Sequence, residues 1–491
     1  MRKTLATLAL ATIPLVLLNA CNGGTASGGP GVAALPNVPA ASHHSRVHHL
    51  DNGPQDLHAG GADFPGYAYN LEQQPVGYYN QSQSPPGQGS LFYAAPTTGT
   101  IYYCLNSSGD GRKAFEGSGD SQFPPTGPCA ALGDSATGFG GRQDPLDFVG
   151  TAVALPSTEC CASSTPYYQH RDEGSQTWGQ PFEIPQIGGL IAYTYRPQDY
   201  QQYTSNIKLS TWTYCAISNG TISNWNDPAV TADNGKSVTG GVSDNVTFYF
   251  RSDNSGTTYN LVNHLNTACN PGSWPAPYNA APYQSSGRSA AWTFGVNSTW
   301  PGPGSSADPN PNFIGENGAL GILAAVQTTP YGFGYLEGSY AKAANPRVGQ
   351  AVLQNGYSKK SGPVFVNPAN HAALVKALAR VKAGNITYGG ASDGNSLSSS
   401  TPWCQLYIDP KNFVTPPAKT YPIVAVSYLL FYGQNNGVHL ADKTTLIKYL
   451  ESSQANKLVA KLEYTPLNSS IENAVITALN GNGGSQPACL Q

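Results

Sequence analysis

The residues best suited to chemistry run Arg251-Ser252-Asp253-Asn254-Ser255-Gly256-Thr257-Thr258. The β-branched and aromatic run Val246-Thr247-Phe248-Tyr249-Phe250 leads into them and predicts a strand. Ser and Thr are good helix caps, so a helix is expected to start near Ser255–Thr258 and run to Ala268. Gly256 lets a ligand approach the backbone closely. A strand ending at an Arg and turning into a helix N-terminus brings N–H groups, the positive end of a dipole and a permanent cation to one point. That is chemistry for holding an anion, with Asp253 placed to orient Arg251.

Two more Gly/Ser turns offer the same kind of amide cradle. Asn106-Ser107-Ser108-Gly109-Asp110-Gly111 precedes the helix-like Arg112–Glu116, and Ala59-Gly60-Gly61-Ala62-Asp63-Phe64-Pro65 precedes an aromatic segment. Three such turns far apart in the chain, together with Arg251, suit one site at a cleft. Hydrolytic chemistry would need a nucleophile beside a base, or paired metals. Ser107 and Ser255 have no His close in sequence, and His58, His170, His264, His371 and His439 form no spaced cluster. No catalytic residue, cofactor or metal site is therefore expected.

The elements that must carry these turns alternate. Leu190–Tyr195 and Val246–Phe250 are predicted strands; Thr257–Ala268, Asn370–Lys382, Asp442–Glu463 and Ser469–Leu479 are predicted helices. This alternation implies α/β layers. Long polar loops are expected around 155–180, 270–315 and 385–400.

Composition narrows the function classes. Only 11% of the 491 residues are charged and the net charge is −3, with no Lys/Arg-rich stretch, which excludes a basic nucleic-acid binder. The 29 Tyr, 15 Phe and 7 Trp supply ample core area and argue against disorder. The 55 Gly and 39 Pro imply many turns.

Arg2 and Lys3 followed by the apolar stretch Leu5–Leu18 are too short for a membrane span and right for a signal peptide over 1–20. Leu18-Asn19-Ala20-Cys21 resembles a bacterial lipobox, which implies lipidation at Cys21 and an exported chain anchored in the cell envelope, on the periplasmic or outer-membrane side. Residues 21–56 are expected to be a flexible tether. Its His43-His44-Ser45-Arg46-Val47-His48-His49 tract is expected to be a weak, adventitious metal binder at most. Eight further cysteines in an exported chain point to disulfides. Cys104 with Cys129, Cys404 with Cys489, and Cys215 with Cys269 are the candidate bridges. The adjacent Cys160 and Cys161 are expected to bond elsewhere rather than to each other.

Taken together, the turns resemble a known family, the phosphate-binding proteins of bacterial phosphate ABC transporters. Gly60-Gly61-Ala62-Asp63-Phe64-Pro65 is similar to that family's Gly-Ala-Gly-Ala-Thr-Phe-Pro, and Ser107-Ser108-Gly109 to its Gly-Ser-Ser-Gly turn. Phe139-Gly140-Gly141-Arg142-Gln143-Asp144-Pro145-Leu146 resembles its Phe-Gly-Ala-Ser-Asp-Ala-Pro-Leu. Gly220-Thr221-Ile222-Ser223-Asn224-Trp225-Asn226-Asp227-Pro228-Ala229 and Arg251–Thr258 carry most of the likeness; Gly334-Tyr335-Leu336-Glu337 and Tyr421-Pro422-Ile423 match later landmarks. The order is kept over about residues 57–480.

The resemblance implies a two-lobed type II periplasmic-binding-protein fold, with discontinuous lobes joined by a hinge. One lobe is expected from 57–188 and 421–491, the other from 189–420. It implies phosphate contacts from Asp63, Phe64, Ser107, Asp144, Arg251, Ser255, Gly256 and Thr257, with Asp253 in support, and a membrane permease as partner. Asp63 departs from the family's Thr and puts a second carboxylate, beside Asp144, at an anion site. That arrangement is expected to tie binding to proton uptake. Two other functions compete: an envelope adhesion or scaffold protein that keeps the fold and has lost the ligand, and an extracellular phosphoester hydrolase.

Overall fold

The computed structural model describes residues 56–71, 86–117, 146–171, 178–200, 202–284, 287–360, 362–483 and 485–491. Cys21, the His43–His49 tract, Cys129 and Asp144 lie outside them.

Eight strands carry the fold: β1 Leu57–Gly61, β2 Ile101–Leu105, β3 Phe148–Thr151, β4 Phe182–Tyr195, β5 Thr247–Arg251, β6 Phe313–Glu316, β7 Gly332–Glu337 and β8 Val424–Phe431. They run in the order β2-β1-β3-β8-β4-β7-β5-β6 within one ten-stranded sheet. β1 pairs in parallel with β2 and β3, and β5 in parallel with β6 and β7. β1 to β4 are buried along their whole length, as strands covered on both faces must be.

β4 joins two half-sheets. Phe182–Leu190 pairs antiparallel with β8, while Ile191–Tyr195 pairs antiparallel with β7. The chain crosses back at Ile423, whose carbonyl accepts the Ile191 amide at 3.0 Å. The predicted strands 190–195 and 246–250 fall in β4 and β5.

The principal helices are α1 Ser108–Glu116, α2 Thr211–Ser218, α3 Gly256–Ala268, α4 Gly318–Thr328, α5 His371–Leu378, α6 Leu440–Leu450, α7 Ser453–Lys461 and α8 Ser469–Asn480. The single helix expected over 442–463 is two, because Ser452 Oγ accepts the Ala455 amide at 3.2 Å and caps a new start. α6 is pinned to the sheet by a buried ion cluster. Asp147, just before β3, accepts the His58 amide at 2.7 Å and lies 2.8 Å from His439 Nδ1 and 3.1 Å from Lys443 Nζ. Burial would raise the Asp147 carboxyl, but Lys443 and His439 outweigh it and hold the group below the usual carboxylate range.

Three disulfides join described cysteines. Cys215–Cys269 staples α2 to the end of α3, and Cys404–Cys489 ties residue 404 to the C-terminal tail. Cys160 and Cys161 bond to each other, contrary to the sequence expectation. Every other described cysteine is already committed, Cys104 included, and Cys161 takes a left-handed φ of 80° in the turn that holds the pair.

The segment between α5 and β8 straps the two half-sheets together. Part of this segment packs on elements from residues 115–183 and 432. Ala391 and Leu397 are buried in a cluster with Phe115, Leu155 and Tyr432. Ser157 Oγ donates to Asp393 Oδ2 at 2.5 Å, and Gln405 Nε2 donates to Pro181 O at 2.6 Å. The same segment also meets α3. Tyr259 Oη donates to Ser392 O at 2.9 Å, and His264 Nδ1 lies 2.9 Å from Val414 O. Burial pushes His264 down to about 4, so the neutral ring donates to that carbonyl. The double variant Cys404→Ser, Cys489→Ser frees the middle of the strap from the C-terminal tail and is expected to lose about 2–4 kcal/mol of stability. Chemical denaturation of parent and variant under non-reducing conditions measures this; equal midpoints would show that the bond constrains nothing.

Candidate anion-binding site

Four chain segments converge where the parallel strands end, the edge at which open α/β sheets place ligands. β1 ends at Gly61 with φ +122°. A Cβ there would lie 2.2 Å from Gly150 O, so only glycine lets β1 turn beside β3 and send Asp63 and Phe64 forward. β2 leads into α1, where Ser107 caps the helix by accepting the Asp110 amide at 3.0 Å. β5 ends at Arg251 and passes through Ser255, which caps α3 by accepting the Thr258 amide at 3.2 Å. The N-terminus of α4 completes the group.

The starts of α1 and α3 touch. Ser108 Oγ accepts the Gly256 amide at 3.2 Å and the Ala152 amide at 3.1 Å. The Gly109 amide donates to Asn254 O at 3.0 Å. The two expected cradles, separate in sequence, are therefore one surface.

Arg251 is 2% exposed, a burial that a guanidinium tolerates only with charged partners. Its Nε donates to Asp253 Oδ1 at 2.6 Å and its Nη2 to Asp253 Oδ2. The same Nη2 lies 2.6 Å from Asp63 Oδ2. Both carboxylates also accept from the N-terminus of α4: Ala319 N to Asp63 Oδ2 at 3.0 Å, and Gly318 N to Asp253 Oδ1 at 3.2 Å. Glu337, at the end of β7, accepts the Thr257 hydroxyl on Oε1 at 2.5 Å. Its Oε2 is buried with no hydrogen-bond partner among the described residues.

One guanidinium thus faces two buried carboxyl groups, Asp63 and Glu337, and a third, Asp253, that is partly exposed. Two buried carboxyls sharing one cation disfavour each other's ionisation, which favours the protonated form of each. Burial raises the Asp63 carboxyl, and Asp253 and Glu337 push it the same way against the pull of Arg251 and the Ala319 amide. Burial likewise raises Glu337, against Arg251 and Thr257.

Of the residues singled out in the sequence, Asp63, Ser107, Arg251, Asp253, Ser255, Gly256 and Thr257 come together here. Phe64 sits beside them, its carbonyl accepting the Tyr464 hydroxyl at 2.6 Å. Asp144 lies outside the described residues. Ser108, Glu337 and the start of α4 were not picked as site residues. The only sequence signal for α4 is Asn317-Gly318 ahead of an apolar run.

A family model described as a PBP superfamily domain matches residues 161–452. The chain belongs to that superfamily. Among curated relatives, this PBP-superfamily chain is 26% identical over 347 residues to phosphate-binding protein PstS3 of Mycobacterium bovis strain BCG, covering 70% of this chain and 74% of the relative. It is 27% identical over 275 residues to phosphate-binding protein PstS of Methanocaldococcus jannaschii, covering 55% and 59%. Among solved structures, a phosphate-binding protein from Stenotrophomonas maltophilia aligns with a TM-score of 0.55 at 17% identity, over 88% of this chain and 96% of that one. A periplasmic phosphate-binding protein, PfluDING, bound with phosphate aligns with a TM-score of 0.57 at 17% identity and the same coverage. At that identity the structures speak for the fold: a two-lobed type II PBP fold.

Proposed function

We propose that this protein captures inorganic phosphate between its two lobes and delivers it to an ABC-type permease. The observation that carries this reading is the buried Arg251 at the meeting point of three helix N-termini, those of α1, α3 and α4. Such a place favours a compact, multiply charged oxyanion. Ser107, Ser255 and Thr257 add hydroxyls to the same surface, and Asp144 belongs to the proposed set by its sequence motif. The curated relatives, named as phosphate-binding proteins, support the choice of anion.

On this reading the mature protein is exported and held to the envelope by a lipid on Cys21. Among the described residues no helix is long and apolar enough to cross a membrane. No chemistry on the ligand is proposed: the hydroxyls of Ser107 and Ser255 cap helices and that of Thr257 donates to Glu337, so each is already engaged as a positioning group. Equilibrium dialysis of the mature protein against labelled phosphate tests the reading. One phosphate retained per chain is expected; none retained would favour an envelope protein that keeps the fold without the ligand.

A further inference from the structure

The anion seat on Arg251 is already filled from within the chain. Asp63 Oδ2 lies 2.6 Å from Arg251 Nη2 and accepts the α4 amide of Ala319 at 3.0 Å, the two kinds of group an incoming oxyanion would use. Both side chains are almost wholly buried, so water does not compete for these bonds.

We propose that Asp63 is a built-in competitor for phosphate: the ligand gains Arg251 only when Asp63 takes up a proton and gives up the guanidinium. The inference rests on the phosphate reading above. The step balances simply. One proton, from solvent or from monobasic phosphate, adds to the Asp63 carboxylate, and the neutral acid can then donate a hydrogen bond to the oxyanion that replaces it on Arg251. No covalent bond other than O–H is made or broken.

The surroundings favour that proton. Asp63 faces Arg251 and Asp253 from the turn after β5, Glu337 from the end of β7, and Tyr103 from β2, whose hydroxyl donates to the neighbouring Ala62 carbonyl at 2.9 Å. Arg251 is the only cation in that set. A bound phosphate adds negative charge, which strengthens the carboxyl's hold on its proton. The sign follows: the liganded protein holds more protons than the free one, so affinity falls as pH rises through the range where free Asp63 ionises. Asp63→Asn keeps the shape and the acceptor for Ala319 but removes the charge.

The test is calorimetric titration of the mature protein and of D63N with inorganic phosphate at about pH 5.5, 7 and 8.5, each in two buffers of different ionisation enthalpy. At the highest pH, D63N is expected to bind about fourfold more tightly than the parent, with a smaller gain at pH 7 and none at pH 5.5. The parent is expected to take up close to one proton more than the variant on binding. Matching affinities and proton counts at every pH would overturn the competitor role while leaving phosphate capture intact. Absence of binding in both chains would overturn the phosphate reading and this one with it. If D63N does not fold, the parent decides alone: uptake of close to one proton near pH 8.5 supports the inference, and none refutes it.

Discussion

Arg251→Ala is expected to reduce phosphate affinity by at least tenfold at neutral pH and to destabilise the fold at the same time. The guanidinium offers charge-assisted hydrogen bonds worth about 1.5–3 kcal/mol each to a bound oxyanion. Its removal also strips Asp63, Asp253 and Glu337 of their shared countercharge. Breaking a buried ion pair from one side costs about 3–5 kcal/mol. Protonation of the carboxyls can relieve part of that cost, so the stability loss should shrink as pH falls towards about 5. Arg251→Lys separates charge from geometry. An ammonium restores a cation but cannot hold Asp253 on two nitrogens while reaching Asp63. It should recover more stability than affinity. Titration and denaturation of both variants supply the comparison; parental affinity in the Ala variant would put the site elsewhere.

Gly61→Val is the second large effect. The residue sits at φ +122°, where a β-branched side chain is strained, and its Cβ would meet Gly150 O at 2.2 Å. α1 closes the other side: a Cβ on Gly111 would approach Gly61 Cα to 2.7 Å. Nothing flexible lines this position, since the obstructing atoms are backbone. The variant is expected to lose more than about 3 kcal/mol, or not to accumulate in folded form at all. Gly272→Val is the control, because nothing lies within 4 Å of its Cβ position. Denaturation midpoints that fall equally for the two would contradict the packing described for β1 and α1.

The parts of the fold legible in the sequence were those where local chemistry and tertiary structure agree. Ser107 and Ser255 read as helix caps and are caps, because a hydroxyl three residues ahead of an open amide acts locally. The β-branched and aromatic run before Arg251 reads as a strand and is β5. Cys215–Cys269 and Cys404–Cys489 were among the bridges suggested by an exported chain with an even cysteine set. The bond between Cys160 and Cys161 was not legible, since it depends on which partners remain within reach in space. The three Gly/Ser turns and Arg251 were expected at one cleft, but the direct pairing of Asp63 with Arg251 and the place of Glu337 and α4 beside them were hidden for the same reason. Nothing in Asp63, Arg251, Ala319 or Glu337 taken singly announces that strands 57–61, 247–251 and 332–337 end at one point and crowd three carboxyls around one guanidinium. The break at Ser452 shows the limit from the other side: the apolar periodicity continues across it, and one capping hydroxyl outweighs the pattern.

The measurement that bears most directly on the proposed function is competition calorimetry on the mature protein. Phosphate is titrated near pH 6, first alone and then with sulfate in large excess. Saturable heat at one phosphate per chain, unchanged by sulfate, is the predicted result. A site that places carboxyl groups against its ligand suits an oxyanion that brings protons and rejects one that has none. No heat with phosphate, or displacement by sulfate at comparable concentration, would contradict phosphate capture at Arg251.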